Sequence, residues 1–374
     1  MDLAYTDEQN MLRESIEKFL ASEYDLSARQ NLVASDTGFS TQHWQTYADL
    51  GWLGMPIAED FGGLGGDLVD TMIMFEAFGK GLVIEPVLST LVLFAGALEI
   101  AGSEDQRQAY LPSIVTGDLQ GSLAYVEACA PTDLHVVETT AMKSNGNFVI
   151  TGTKSVVFHA ASAHHFLISA RTSGKASDQS GISLFLVAAD SDGISRKDYP
   201  TVDGLRASEL ILDQVEVPAT ACVGNLGEGL TVLQQVVNRG ILAISAEAVG
   251  AMQVLYESTI EYTKQREQFD HPLAEFQVVK HRLTEMFIEY NLAKSLCMKA
   301  TMLENQKTDD AQRHIHALKF LVGKTSRFVG QNAVQLHGGM GMTEDLAIAH
   351  YFKRLMMIDA TFGHTDIHLQ AFVG

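Results

Sequence analysis

The chain has 374 residues, 46% of them hydrophobic, enough to build more than one buried core. Acidic residues outnumber basic ones by 46 to 26, and the net charge of −20 argues against partners that present dense phosphate, whether nucleic acid or an anionic membrane surface. Three scattered cysteines, Cys129, Cys222 and Cys297, show no metal-ligand spacing and suit a reducing cytoplasm. The segment Met1–Tyr5 is neither basic nor followed by an apolar signal core, and no apolar run approaches the ~18 residues of a membrane span. A cytoplasmic protein without a metal is expected.

The first ~115 residues read as helix. Thr6-Asp7-Glu8-Gln9 has capping-box form, with Leu12, Ile16, Phe19 and Leu20 following at helical spacing. Trp44, Tyr47, Leu50 and Leu53 continue the pattern, which the loop from Ala58 to Gly66 breaks. Glu59 and Asp60 make that loop a poor phosphate cradle, so its glycines are assigned to turns. Near residue 120 the texture becomes β-rich: Phe148-Val149-Ile150, Ser155-Val156-Val157-Phe158, Phe166-Leu167-Ile168 and the run from Ile182 to Val187. Asn145-Gly146 ahead of the first of these runs predicts a hairpin turn. Strand texture ends near Val217-Pro218, and from ~227 the chain is helical again. Phe276, Val279, Leu283, Met286, Tyr290, Ala293, Cys297 and Ala300 step by three and four, as do Ile315, Leu318, Val322, Thr325, Val329, Asn332 and Leu336. Such stripes predict long helices packed as a bundle. The second stripe runs into Gln335-Leu336-His337-Gly338-Gly339-Met340-Gly341, where glycines either stop a helix or let the backbone approach a phosphate. A helix, not a strand, precedes the run, so it is not a Rossmann turn.

Several segments, in order, resemble the acyl-CoA dehydrogenase family. They are Leu50-Gly51-Trp52-Leu53-Gly54 with Glu59–Gly65, then Gln106-Arg107-Gln108-Ala109-Tyr110-Leu111-Pro112 with Gly117, and Gly204-Leu205-Arg206-Ala207-Ser208 leading to Val215-Glu216-Val217-Pro218. Arg266-Glu267-Gln268-Phe269 with Phe276-Gln277, and residues 335–341, complete the set. The resemblance is greatest to the small-subunit type found in pimeloyl-CoA dehydrogenases and in paired steroid-side-chain dehydrogenases. It implies an α+β fold: an N-terminal helical domain (1–117), a central barrel-like or orthogonal β-sheet domain (118–226) and a C-terminal four-helix bundle (227–374). It also implies FAD as cofactor, an acyl-CoA substrate desaturated at its α,β-carbons, a dimer or tetramer, and electron-transfer flavoprotein as the acceptor.

By the same resemblance, FAD lies across a subunit contact, so its two halves are weighed separately. Arg266, Phe269, Gln277, Gln335, Gly338, Gly339 and Gly341 fall where the family holds the adenine end and pyrophosphate. Asp270 stands where the family has glycine, an unfavourable carboxylate near phosphate. The flavin side departs further. Val126 replaces a threonine, Pro131 a glycine, Val156 a tryptophan and Phe158 a small hydroxyl residue, while Thr132 keeps a hydroxyl and Val157 stays apolar. At the catalytic-base position, where the family reads Tyr-Glu-Gly-Thr, this chain reads Thr361-Phe362-Gly363-His364. The alternative base position on the first bundle helix reads Asn238-Arg239. Neither Phe362 nor Asn238 accepts a proton at neutral pH, which leaves His364, Asp359 and Asp366 as nearby acid–base groups. The sequence therefore ranks three functions. The first is the base-lacking subunit of a heteromeric acyl-CoA dehydrogenase, completed by a homologous partner subunit. The second is a self-sufficient homo-oligomer with a non-standard base, and the third a flavin-free structural or binding subunit.

Overall fold

A computed structural model of the chain describes residues 5–374; residues 1–4, part of the segment read above for a signal sequence, lie outside the described residues. Helices α1 (Asp7–Glu23), α2 (Leu26–Ala34), α3 (Thr41–Asp49), α4 (Leu68–Gly81), α5 (Gly96–Ala101) and α6 (Glu104–Val115) come first. Strands β1 (Gly121–Ala124), β2 (Thr140–Ser144), β3 (Asn147–Phe158), β4 (His165–Arg171), β5 (Ile182–Ala188), β6 (Ile194–Pro200), β7 (Arg206–Val217) and β8 (Cys222–Val223) follow. The chain then runs through α7 (Gly229–Gln265), the small strands β9 (Glu267–Gln268) and β10 (His271–Pro272), and α8 (Gln277–Asn305), α9 (Ala311–His337), α10 (Ala347–Ala360) and α11 (Thr365–Val373). The order helix, sheet, helix is the one expected. No helix of the described residues is long and apolar enough to cross a membrane.

Local sequence explains the element starts. Thr6 caps α1 through a reciprocal box with Gln9, and Asp67 with Asp70 and Ser103 with Gln106 do the same for α4 and α6. Each box satisfies backbone N–H groups that a helix start otherwise leaves open. Asn145 and Gly146, at φ 51° and 89°, form the turn joining β2 to β3, with Ser144 paired to Asn147. Two positive φ values are what a two-residue hairpin turn needs, and Asn-Gly adopts them at low cost.

The described chain forms two compact units. One comprises residues 32–66 and 84–240 and contains the sheet, in the order β6-β7-β3-β2-β4-β5-β8 with β1 parallel to β4. The path ends on β6 and β8, which do not pair, so the sheet is open and the barrel-like expectation is corrected to an open, mainly antiparallel sheet. One face carries a core that includes Phe148, Ile150, Val157, Phe166, Ile168, Phe185, Leu210 and Val215. Between Lys154 and Val157 the pairing of β3 with β7 slips, and Val156 there takes φ 52°. A bulge of this kind re-aims the side chains that follow it.

The other unit comprises residues up to 31, 67–83 and 241–374. The striped positions Val279, Met286, Tyr290, Ala293, Cys297 and Ala300 are buried on α8, and Ile315, Leu318, Val322, Thr325 and Val329 on α9. Helices α4 and α7 approach at backbone distance. A Cβ at Gly79 would sit 2.0 Å from the Glu247 carbonyl oxygen, and one at Gly250 would sit 1.9 Å from that of Glu76, so both positions demand glycine.

Candidate functional site

The residues expected on the phosphate side lie in the helical unit, where the C-terminal ends of α7 and α9 and the start of α8 converge. Two contacts fix this junction. The Tyr262 ring of α7 stacks on the His337 ring of α9 with centroids 4.2 Å apart, and Arg282 of α8 donates to Asn332 Oδ1 of α9 at 3.0 Å. Arg266 lies one turn beyond Tyr262, its N–H donating to the Tyr262 carbonyl. Gln277 opens α8, and Gln335 lies in the last turn of α9. The α9 helix ends on Gly338 at φ 63°, and residues 338–342 form a short 3-10 turn. A Cβ added at Gly338 or Gly339 meets no atom within 4 Å, whereas one at Gly341 would meet the Val334 carbonyl oxygen at 2.9 Å. The first two glycines therefore leave open backbone, and the third is required by packing. Arg266 is exposed and enters no ion pair among the described residues, so its guanidinium is available to an anion.

Phe269 and Asp270 are the two central residues of the β9–β10 hairpin, with Gln268 paired to His271. Their φ values, 56° and 63°, are both left-handed. The glycine expected at position 270 is thus a backbone requirement of the turn, and Asp270 meets it at some strain. Phe269 is 85% exposed, with its ring edge-on to Phe276 at 6.3 Å. Replacing Asp270 by Gly removes both the strain and a carboxylate. The expected result is a gain of about 0.5–1 kcal/mol in denaturant unfolding.

The residues expected on the flavin side lie in the sheet unit. The Val126 carbonyl accepts the Ser155 N–H at 2.8 Å, which ties the segment after β1 to β3. Thr132 is exposed in the irregular stretch before β2. Val157 is 1% exposed and belongs to the sheet core, so only its backbone is available to a ligand. Val156 is 39% exposed, and Phe158 is half-buried with its carbonyl accepting Ser122 Oγ at 2.9 Å. Val126, Val156 and Phe158 bring no side-chain hydrogen-bond donor to this edge. The residues expected on the phosphate side include an exposed guanidinium at Arg266 and open backbone at Gly338 and Gly339, whereas those expected on the flavin side are largely apolar.

Where the resemblance expects the base, Phe362 adopts φ 61° and is followed by Gly363 at φ 96°. A left-handed phenylalanine persists only where its surroundings hold it. Here the Phe362 carbonyl accepts His368 Nε2–H at 2.9 Å. Lys319 Nζ, fully buried, donates to the carbonyls of Ile358, Asp359 and Gly363 at 2.9, 2.8 and 2.9 Å. Burial draws the Lys319 ammonium down to about 8, opposed by the charge of Asp359. Asp359 is 6% exposed, with one oxygen accepting Thr365 Oγ1 at 2.7 Å and the other Arg327 at 3.0 Å. It is a structural ion-pair partner. His364 is exposed at the start of α11 with no side-chain capping bond, and Asp366 is exposed in the first turn. Asn238 is 8% exposed in α7, and that helix carries no carboxylate before Glu247, which Arg354 holds in a bidentate pair.

Sequence reading missed the buried charges. Lys319 shares a face with Ile315 and Val322, and Lys154 interrupts a strand run, so a cation inside an apolar pattern was the available signal. Burial lifts the Glu127 carboxyl, but Lys154 at 2.6 Å, with hydrogen bonds from Lys154, Thr139 and Glu138, holds it below the usual carboxylate range.

Family models match the chain in three consecutive pieces: the acyl-CoA dehydrogenase N-terminal domain over residues 6–118, the middle domain over 122–215 and the C-terminal domain over 227–372. The chain belongs to the acyl-CoA dehydrogenase family. It is 28% identical over 372 residues to a probable acyl-CoA dehydrogenase of Bacillus subtilis, covering 98% of this chain and 97% of that one. Among solved structures, an FAD complex of PigA superposes with a TM-score of 0.93 at 26% identity, over 100% of this chain and 98% of that one. A variant of the steroid ACAD Tcur3481-Tcur3483 superposes with a TM-score of 0.89 at 26% identity, over 98% and 97% of the two chains. The acyl-CoA dehydrogenases are FAD-binding oxidoreductases acting on acyl-CoA, and this chain carries all three of their domains.

Proposed function

We propose that this acyl-CoA dehydrogenase is the base-lacking subunit of a heteromeric FAD enzyme that desaturates an acyl-CoA thioester at its α,β-carbons. The observation that carries the reading is Phe362 at the base position, on a loop still gripped by Lys319 and His368. The support is cumulative. Asp359 is committed to Arg327 and Thr365, and the first carboxylate of α7 is committed to Arg354. The likeness to a steroid ACAD named for two components points the same way.

In this reading the helical unit supplies the adenine and pyrophosphate side of an FAD site. Arg266 pairs with phosphate oxygens, the open backbone at Gly338 and Gly339 comes close to them, and Gln277 and Gln335 donate hydrogen bonds. FAD, when bound, accepts the substrate's β-hydrogen as hydride. The carboxylate that removes the α-proton comes from a homologous partner subunit. Reoxidation by an electron-transfer flavoprotein and an assembly of two or four chains belong to the same proposal.

The test is co-expression with a homologous acyl-CoA dehydrogenase chain. The complex is expected to hold about one FAD per two chains and to lose turnover when the partner's glutamate is replaced by glutamine. Arg266→Ala in the complex is expected to weaken flavin binding about 10–100-fold, the worth of a charge-assisted pair. Stoichiometric flavin and acyl-CoA turnover in the isolated chain would overturn the subunit reading. Unchanged flavin content in Arg266→Ala would overturn the phosphate-side assignment.

A further inference from the structure

A line of four groups runs from the surface of α9 to the loop at the base position. Gln312 Nε2 lies 2.9 Å from His316 Nε2, His316 Nδ1 lies 2.9 Å from His368 Nδ1, and His368 Nε2 lies 2.9 Å from the Phe362 carbonyl. The proton positions follow from one end. A carbonyl only accepts, so His368 must carry its proton on Nε2. Its Nδ1 then has only a lone pair, and His316 must donate from Nδ1. His316 Nε2 is left as an acceptor, which matches the Gln312 amide that faces it. Every role in the line is met by two neutral imidazoles.

Adding protons breaks that order in steps. A first proton fits on His316 once the exposed Gln312 turns its amide nitrogen away, leaving Nε2–H to the Gln312 carbonyl oxygen or to solvent. A second proton, on His368, sets two N–H groups against each other across 2.9 Å, with nothing to accept between them. The surroundings oppose it as well. Lys319 of α9 and His364 at the start of α11 both face His368 and disfavour a second positive charge. The nearby carboxylate Asp359, at the end of α10, is already taken by Arg327 and Thr365. Arg313 of α9 stacks on the Phe372 ring of α11, and Asp366 of α11 is exposed.

We infer that the His316–His368 pair is an acid-released latch on the loop between α10 and α11, holding Phe362 in its left-handed conformation while neutral and letting it go when both rings are protonated. This goes beyond the subunit reading and does not depend on flavin or on a partner.

The linkage has a definite sign. Burial, with the Lys319, His316 and His364 charges, lowers His368 to about 4 against the bond to the Phe362 carbonyl, from an ordinary value of 6.5. A lowered folded value means the open loop takes up protons first. The latch is fully effective above pH ~6.5 and fails progressively as the pH falls toward 4. Between pH 7.5 and 5, His368 alone should favour the open loop about 30-fold.

The test is hydrogen exchange of the 359–368 backbone in the full chain, corrected for intrinsic exchange, together with nitrogen NMR of the imidazoles. At pH 7.5 His368 is expected as the Nε2–H tautomer. Loop protection should fall about 30-fold by pH 5, while mid-helix amides of α8 hold theirs. His368→Gln keeps a donor at the Nε2 position and cannot titrate, so its loop should stay protected at both pH values. His368→Phe should lose protection at both. An Nδ1–H tautomer at His368, loop protection that does not change with pH, or an acid step that survives in His368→Gln would each overturn the latch. The tautomer and the pH dependence of loop protection need no variant and together decide the matter if the substitutions fail to fold.

Discussion

Arg354→Met is expected to destabilise the protein by about 3–5 kcal/mol, the cost of stranding a buried charge. Arg354 Nε and Nη2 donate to the two carboxylate oxygens of Glu247 at 2.5 and 2.7 Å, joining α10 to α7. The two residues are only 7% and 5% exposed. Removing the guanidinium leaves the buried Glu247 carboxyl group without its cationic partner. The double variant Glu247→Leu with Arg354→Met should recover most of the loss, because a well-packed apolar pair is often as stable as a buried ion pair. Denaturant unfolding of the four proteins closes a double-mutant cycle. A single variant within 1 kcal/mol of the wild type would show that the pair is not isolated from solvent, contrary to the burial described.

Glu127→Ala is expected to cost the sheet unit a similar amount, about 3–5 kcal/mol. Lys154 is fully buried, and its Nζ donates to Glu127 at 2.6 Å and to Ser169 Oγ at 3.0 Å. Glu127 also accepts the backbone N–H groups of Glu138 and Thr139 at 2.7 and 3.1 Å. One substitution therefore strands an ammonium and removes one anchor of the segment that carries Thr132, leaving it held by Arg171 through His135. Lys154→Met should be milder, because Glu127 keeps its two backbone donors and then titrates at a higher pH. Thermal unfolding ranks the two, and limited proteolysis between residues 128 and 137 reports the loosened segment. Equal effects with no new cleavage would argue that Glu127 anchors only the lysine.

Much of the fold was legible because it rests on local rules. The capping box at Thr6, the Asn145-Gly146 turn and the stripes of α8 and α9 each depend on neighbours within a few residues. The open sheet was harder. Which strands end a sheet depends on pairing between distant segments, and alternating apolar residues read the same in a closed or an open one. The candidate site divided along the same line. Arg266, Phe269, Gln277 and residues 335–341 were visible as residue types in order, and so was the lack of a carboxylate at Phe362 and Asn238.

The sequence by itself determined the family and the order of helical and sheet regions, and it placed Phe362 and Asn238 where the resemblance expects a carboxylate, because these depend on which side chains are present. Tertiary structure alone decided what those side chains are doing. It committed Asp359 to Arg327, gave Asp270 a left-handed turn to fill, and set Lys319 and the His316–His368 pair around the Phe362 loop. Such roles depend on distances of about 3 Å between groups tens of residues apart, and on burial that gives an ion pair or a proton position its energy.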